Sequence, residues 1–137
     1  MKAATLCTGI GGFDLACQNV GMEIIFQCEQ DAACNRVLKH HWPDVERTED
    51  VYDRRTFATL RRLRPDVLAF GSPCQDLSVA GQRAGLAGKR SRVFFRCMEC
   101  AFACDAPWVV FENVLGLFSS RRGEDFASVL EAFTGVR

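Results

Sequence analysis

Short apolar runs that alternate with helix-like segments most strongly constrain how this chain of 137 residues can fold. The strand-like runs lie at residues 2–7, 23–28, 45–48, 67–70 and 108–111, and the helix-like patterns at 13–19, 31–39, 54–63, 91–104 and 124–133. A strand, a crossover helix and a second strand form a parallel pair in one sheet. The order therefore predicts a doubly wound, mainly parallel α/β sheet of the Rossmann-like type.

Composition sets broad limits on what the chain does. Apolar residues make up 48% and charged residues 25%, which is ordinary for one soluble globular domain. Lys and Arg number 17, as do Asp and Glu, so attraction to nucleic acid would have to come from a local basic cluster. No apolar run is long enough to span a membrane, and the N-terminus lacks the apolar core of a signal peptide. We expect a cytoplasmic protein with no membrane partner.

Eight cysteines raise the alternatives of disulfides or a metal site. The apolar segments supply a core without disulfides, which favours reduced thiols. Cys97 and Cys100 have the CxxC spacing of zinc ligands, and Cys104 follows one turn later. No second CxxC or closely spaced His pair supplies further ligands, so we expect three thiols on a buried helix face and no metal.

A glycine turn after the first strand indicates a nucleotide-type cofactor. Gly9-Ile10-Gly11-Gly12 links that strand to a helix and directs backbone N–H groups and a positive helix end toward the strand's carboxyl edge. Glu29 ends the second strand, where such folds keep an acid for ribose hydroxyls. Asp50 follows the third strand and could accept a hydrogen bond from an adenine amino group. The alternative for both carboxylates is simple solvent exposure.

Two polar segments follow the last two strands and predict the chemistry. Ser72-Pro73-Cys74-Gln75 comes after one strand, and Phe111-Glu112-Asn113-Val114 ends the other. Because the carboxyl ends of parallel strands form one crevice, Cys74 and Glu112 can face a single pocket. Cys74 is then a candidate nucleophile with Glu112 as its acid partner. A lone Cys74 would instead be interpreted as a buried thiol.

These segments, with residues 6–13, 65–67 and 90–95, resemble the successive motifs of the C5-cytosine DNA methyltransferases over nearly the whole chain. The resemblance implies S-adenosylmethionine as methyl donor and a cytosine swung out of duplex DNA as acceptor, as in DNA methylation by restriction-modification enzymes. It also implies that Cys74 adds to cytosine C6 while Glu112 hydrogen-bonds the N3 edge. Asn113 would hold the Glu112 turn.

The resemblance assigns further residues. Those implied for the cofactor are Cys7, Gly9, Ile10, Gly11, Gly12, Phe13, Glu29, Asp50, Val51, Pro73 and Val93. Glycines and basic residues in the segment 71–90 favour a lid that closes on DNA, with a solvated surface loop as the alternative. Its implied DNA contacts are Gln75, Ser78, Gln82, Arg83, Lys89 and Arg90.

Three residues depart from the family pattern, and these departures affect what we expect of cofactor binding. Cys7 stands where a Phe usually packs on adenine, Thr5 where Asp is common, and Arg92 where a small residue is usual. We expect weak cofactor binding. The resemblance implies that residues 1–137 are the N-terminal part of the catalytic domain, without the target-recognition region and C-terminal motifs. A complementing segment is therefore expected, for which a second chain is one possible source and a split subunit or a decayed homologue are the alternatives for this chain. A tRNA cytosine methyltransferase and a non-catalytic regulatory homologue remain alternatives.

Overall fold

The computed structural model describes residues 1–72 and 92–135. In this part of the chain the strands are β1 (Lys2–Leu6), β2 (Glu23–Cys28), β3 (Glu46–Thr48), β4 (Val67–Gly71) and β5 (Trp108–Glu112). The helices are α1 (Gly12–Asn19), α2 (Ala32–His41), α3 (Arg54–Leu63), α4 (Arg92–Ala103), α5 (Gly116–Ser119) and α6 (Glu124–Thr134). A turn of 3-10 helix over Ser120–Gly123 joins the last two.

The described strands form one parallel sheet in the order β3-β2-β1-β4-β5. The chain winds outward from β1 through β2 to β3 and then returns to place β4 on the other side of β1. This reversal opens a crevice at the carboxyl ends of β1 and β4, where ligands bind in open α/β sheets. The predicted doubly wound α/β fold is confirmed.

Side-chain caps fix the starts of two helices that the sequence predicts. The Asp31 carboxylate accepts a hydrogen bond from the backbone N–H of Cys34 at 2.8 Å, and α2 begins at Ala32, directly after Asp31. The Asp53 carboxylate likewise accepts from the N–H of Arg55 at 2.8 Å at the start of α3. Each cap satisfies a donor that the first helical turn leaves unpaired.

Two apolar layers enclose the sheet. On one face the fully buried Leu6, Phe26 and Phe70 pack with Phe94 and the thiols of α4. The apolar layer on the other face is smaller and includes Ala3, Ile24, Leu38 and Trp42. Cys97, Cys100 and Cys104 are all buried, which confirms the interpretation of their spacing as an apolar helix face.

β5 lies at an edge of the sheet and is covered on one side only. Phe111 packs against Phe70 and Phe94 with ring centroids 5.1 and 4.8 Å apart, whereas Trp108 and Val110 are 65% and 44% exposed. The nearby Leu115 is 84% exposed.

In the part of the chain that the structure describes, no helix has the length and hydropathy needed to cross a membrane.

Candidate active site

The turn between β1 and α1 depends on its glycines. Gly9 and Gly11 have φ of +60° and +95°, in the left-handed region that favours glycine. Gly11 is also tightly packed, because a Cβ at this position would lie 2.4 Å from Cζ3 of Trp42. The chain therefore passes from β1 into α1 with the backbone of the turn packed closely against the end of α2.

The Glu29 carboxylate ties this turn to the end of β2. One oxygen accepts a hydrogen bond from the backbone N–H of Gly9 at 2.7 Å, and the other accepts from the N–H of Asp31, also at 2.7 Å. The side chain is buried. A carboxylate oxygen has a second lone pair, so Glu29 can hold the turn and still accept from a ligand hydroxyl.

A buried polar network lies beneath the turn. The Asp14 carboxylate is fully buried and accepts hydrogen bonds from Nε2 of Gln27 at 2.7 Å and from the Thr5 hydroxyl at 3.2 Å. Gln27 in turn accepts from Nε of Arg47 at 3.0 Å. Burial raises the pKa of Asp14, while the hydrogen bonds from Gln27 and Thr5 oppose that rise. The network connects α1 to β1, β2 and β3.

A cavity of about 380 Å³ opens at the carboxyl edge of the sheet, within the range of small-ligand sites. It is lined by Cys7, Cys28, Glu29, Gln30, Glu49, Asp50, Val51, Tyr52, Gly71 and Val93. The lining combines the acidic side chains of Glu29, Glu49 and Asp50 with the aliphatic side chains of Val51 and Val93. A ligand that offers hydroxyl or amino donors together with a flat apolar ring suits both.

Two thiols in the cavity wall differ in their ionisation. Burial raises the pKa of Cys28 to about 12, so this thiol is neutral. The neighbouring Cys97 thiol lowers the pKa of Cys7, although burial and the charge of Glu29 oppose that effect. Cys7 also has a left-handed φ of +50°, which is uncommon for a residue with a side chain.

Glu112 lies beside this cavity. It is the register partner of Gly71 across β4 and β5, and a Cβ added to Gly71 would lie 3.0 Å from Oε2 of Glu112. The following residue, Asn113, donates from Nδ2 to the Ser72 hydroxyl at 3.1 Å and accepts from the N–H of Val114 at 2.8 Å. Asn113 thus joins the end of β5 to the segment that leads toward Cys74.

The structure brings together part of the predicted cofactor set. Cys7, Glu29, Asp50, Val51 and Val93 line the cavity, and the Gly9 backbone contacts it through Glu29. The rest of the turn lies outside the lining: Ile10 is 67% exposed, Gly11 packs on Trp42, and Gly12 and Phe13 belong to α1.

Other predicted residues fall outside the described residues. These are Pro73, Cys74, Gln75, Ser78, Gln82, Arg83, Lys89 and Arg90.

The sequence reasoning missed several lining residues: Cys28, Gln30, Glu49, Tyr52 and Gly71. Each lies within two residues of a predicted position or of a strand's carboxyl end. Position relative to the strand ends was the signal that could have identified them.

Comparison with solved structures identifies the class to which this fold belongs. A protein described as a prophage-encoded DNA modification methyltransferase of E. coli superposes with a TM-score of 0.79 at 16% identity. The alignment covers 98% of this chain and 38% of that one. At this identity the likeness concerns the fold, which is the α/β methyltransferase fold.

The family follows from the sequence. The family of C-5 cytosine-specific DNA methylases matches residues 1–136, and the chain belongs to that family. Its members use S-adenosylmethionine as methyl donor. Type II methyltransferase M2.BsuMI of Bacillus subtilis is 33% identical over 128 residues, covering 90% of this chain and 32% of that protein.

A second relative has a different named activity. DNA N-6-adenine-methyltransferase of Escherichia phage P1 is 32% identical over 126 residues, covering 85% of this chain and 17% of that protein. The chain thus spans a third or less of the length of these two relatives.

Proposed function

We propose that this chain provides the cofactor site and the catalytic pair for methyl transfer from S-adenosylmethionine to C5 of cytosine in DNA. The observation that supports this most is the position of Glu112 beside Gly71, which lines the cavity at the carboxyl edge of the sheet. A methyl donor bound in the cavity would therefore lie next to the acid that the reaction requires.

The cavity residues suit the adenosine part of the donor. Glu29 has free lone pairs on both oxygens for the ribose hydroxyls. Oδ1 of Asp50 accepts from the N–H of Tyr52 at 2.9 Å, and this carboxylate lines the cavity, where it could accept a hydrogen bond from an adenine amino group. Val51 and Val93 supply apolar surface for the ring. When bound, S-adenosylmethionine supplies an electrophilic methyl group on a sulfonium.

Cys74 and Glu112 activate the acceptor in this proposal. Cytosine C5 is a poor nucleophile, so the Cys74 thiolate adds to C6 while Glu112 hydrogen-bonds N3 and stabilises the protonated adduct. C5 then attacks the methyl group, the bond between that methyl group and the sulfonium sulfur breaks, and S-adenosylhomocysteine leaves as a neutral thioether. Loss of the C5 proton restores the double bond and expels the Cys74 thiolate. Cys74 follows Gly71 by three residues, and the Ser72–Asn113 hydrogen bond joins its segment to the Glu112 turn.

Two further elements complete the proposal. Basic residues of the segment 71–90, such as Arg83 and Arg90, contact DNA phosphates and help enclose the flipped base. A complementing segment supplies target recognition and packs on the exposed side of β5, where Trp108 and Val110 present apolar surface to solvent. Without it, the chain cannot offset the few kcal/mol of pairing and stacking lost in base flipping.

The test measures transfer of labelled methyl groups to duplex DNA by this chain alone and with a polypeptide that carries the recognition region and C-terminal motifs. We expect transfer only in the mixture, with 5-methylcytosine as the product. Cys74→Ser should abolish it because a hydroxyl is a far weaker nucleophile than a thiolate. Cys34→Ser, on α2, is the matched control and should keep full activity.

Three other outcomes would each contradict one part of the proposed function. Full activity of the Cys74→Ser variant would overturn the mechanism. N6-methyladenine as the product would overturn the acceptor, and transfer to tRNA in preference to DNA would overturn the substrate class.

A further inference from the structure

The turn that follows β3 forms one side of the cavity. Asp50, Val51 and Tyr52 all belong to its lining. The carbonyl of Asp50 accepts hydrogen bonds from the N–H of Asp53 at 3.1 Å and from the Thr56 hydroxyl at 2.6 Å. These two bonds tie the beginning of the turn to the start of α3. Neither of them reaches the next peptide group, which lies between Val51 and Tyr52.

Arg96 of α4 holds that peptide group from outside the cavity. Its Nε donates a hydrogen bond to the carbonyl oxygen of Val51 at 3.0 Å. Its Nη1 donates to Oε2 of Glu99 at 2.8 Å, in an ion pair within the same helix. The Arg96 side chain is only 19% exposed, and it does not line the cavity. Arg96 can therefore affect a ligand in the cavity only through the residues that it holds.

Two aromatic rings lie against the Arg96 guanidinium. Its Cζ is 4.9 Å from the ring centroid of Phe57 and 5.8 Å from that of Tyr52. Both distances are in the range of cation–π attraction, which strengthens as the cation is removed from water. Phe57 packs on the buried core, whereas Tyr52 is 50% exposed. The guanidinium thus links the Tyr52 ring, as well as the carbonyl before it, to the core of the protein.

One peptide group connects Arg96 to the Asp50 carboxylate. The C=O of Val51 and the N–H of Tyr52 belong to the same planar trans unit, so the direction of one fixes the direction of the other. The Tyr52 N–H donates to Oδ1 of Asp50 at 2.9 Å. If the carbonyl turned away from Arg96, the N–H would turn away from the carboxylate with it.

We infer that Arg96 is a positioning residue for the cofactor, because it orients the Val51–Tyr52 peptide and, through that peptide, the Asp50 carboxylate. The inference rests on the proposed function, which places the adenine amino group at Asp50. α4 then contributes to the cavity in two ways. Val93 lines it directly, and Arg96, three residues later on the same side of the helix, holds another part of its wall.

The expected consequence is selectivity for adenine. Hypoxanthine has a carbonyl oxygen where adenine has its amino group, so S-inosylhomocysteine tests this one contact in an otherwise identical ligand. The parent chain should bind S-adenosylhomocysteine about tenfold or more tightly than the inosyl analogue. In Arg96→Met this preference should fall to about threefold or less, because the carboxylate is no longer held in place. Partial unfolding weakens the apparent binding of both ligands equally, so the ratio reports position and not stability.

Tyr52 offers a spectroscopic probe because it is the only tyrosine in the chain. Fluorotyrosine therefore labels one ring, and its fluorine resonance responds to nearby charge. Arg96→Met should shift this resonance before any ligand is added, and titration of each ligand against it gives the two dissociation constants. Arg62→Met is the matched control, since Arg62 on α3 is an exposed arginine that is ion-paired with Glu46. It should keep the parent resonance and the parent ratio.

Arg96→Lys is a second variant, which decides the question if Arg96→Met does not fold. It keeps the positive charge but lacks the planar guanidinium with its Nε–H, so its ratio should lie between those of the parent and Arg96→Met. A parent-like ratio in both Arg96 variants would overturn the inference, even if the resonance shifts. An equal loss of preference in Arg62→Met would also overturn it.

Failure of the proposed function would give a different result. In that case the parent chain would bind neither ligand, or would bind both with equal affinity. The ligand-free resonance of Arg96→Met would still decide whether Arg96 holds Tyr52, and an unshifted resonance would contradict that contact.

Discussion

At the scale of single residues, Glu29 has two structural tasks. Its oxygens accept from the N–H groups of Gly9 and Asp31, which fixes the glycine turn against the start of α2, and the same carboxylate faces the cavity. One side chain thus holds the turn and provides the ligand contact that we propose. A substitution that keeps its size but changes its hydrogen bonding tests both tasks.

Glu29→Gln should lower the affinity for S-adenosylmethionine by about tenfold or more, since hydrogen bonds to charged groups contribute roughly 1.5–3 kcal/mol. The substitution also replaces one accepting carboxylate oxygen with an amide NH2 group, which is a donor and would face a backbone N–H. Calorimetry measures the affinity, and urea unfolding checks the fold. Glu23→Gln, at the other end of β2, should bind like the parent chain. Unchanged affinity in Glu29→Gln would contradict the assignment.

Asp14 predicts a dependence of stability on pH. Because burial raises its pKa above the usual value of about 3.9, the folded chain holds this proton more tightly than the unfolded chain. Its contribution to stability is fully present below about pH 3.9 and is lost as the pH rises through the folded-state pKa. Asp14→Asn removes this titration and keeps an oxygen to accept from Gln27.

The measurement is the free energy of urea unfolding over a pH series for both chains. The value for the parent minus that for Asp14→Asn should fall as the pH rises from about 4. A difference that stays flat or rises with pH would contradict a raised pKa in the folded state.

At the scale of elements, the position of α4 depends on an aromatic cluster. The Phe94 ring is fully buried and lies 6.0 Å from Phe70, 4.8 Å from Phe111 and 6.4 Å from Phe133, measured between centroids. Phe94 therefore packs α4 against β4, β5 and α6. The same helix carries Val93, which lines the cavity, so the packing of this element sets part of the wall of the site.

Phe94→Ala should lower the free energy of unfolding by about 3–5 kcal/mol, because it leaves a cavity among three rings. Phe102→Ala, on the same helix but 63% exposed, should cost less than about 1 kcal/mol. Urea unfolding compares the two variants. Equal losses would mean that this cluster does not hold α4.

Elements were predictable from the sequence because local signals define them. α3 and β2 cover the predicted residues 54–63 and 23–28, since apolar patterning and capping act over a few residues. Contacts between distant residues were not predictable. The packing of Phe94 on Phe70 depends on how α4 lies over the sheet, and the position of Glu112 over Gly71 depends on strand register.

The candidate site was predictable where it follows strand ends. Glu29 and Asp50 were identified from their positions after β2 and β3, and both line the cavity. The buried pairing of Thr5 with Asp14 was missed, because neither residue alone indicates a partner nine positions away. The roles of Cys74 and Glu112 in catalysis remain predictions.

At the scale of the whole molecule, the cavity and the exposed side of β5 are distinct features. The cavity draws its lining from the ends of β1, β2, β3 and β4, with Val93 of α4 closing it. β5 presents Trp108 and Val110 to solvent on its uncovered side, and Glu112 ends the same strand at the carboxyl edge. We propose that a complementing segment covers this side and brings DNA to the cavity. Methyl transfer by the proposed mechanism thus requires a covalent step at Cys74 once this chain and the complementing segment are together.

The most direct measurement traps that step. Duplex DNA with 5-fluorocytosine at the target position is mixed with the chain, the complementing segment and S-adenosylmethionine, because fluorine cannot leave C5 as a proton does. We expect a stable protein–DNA adduct that maps to Cys74 and is absent in Cys74→Ser. Methylation of ordinary cytosine by the same mixture, without an adduct at Cys74 on the fluorinated duplex, would contradict it.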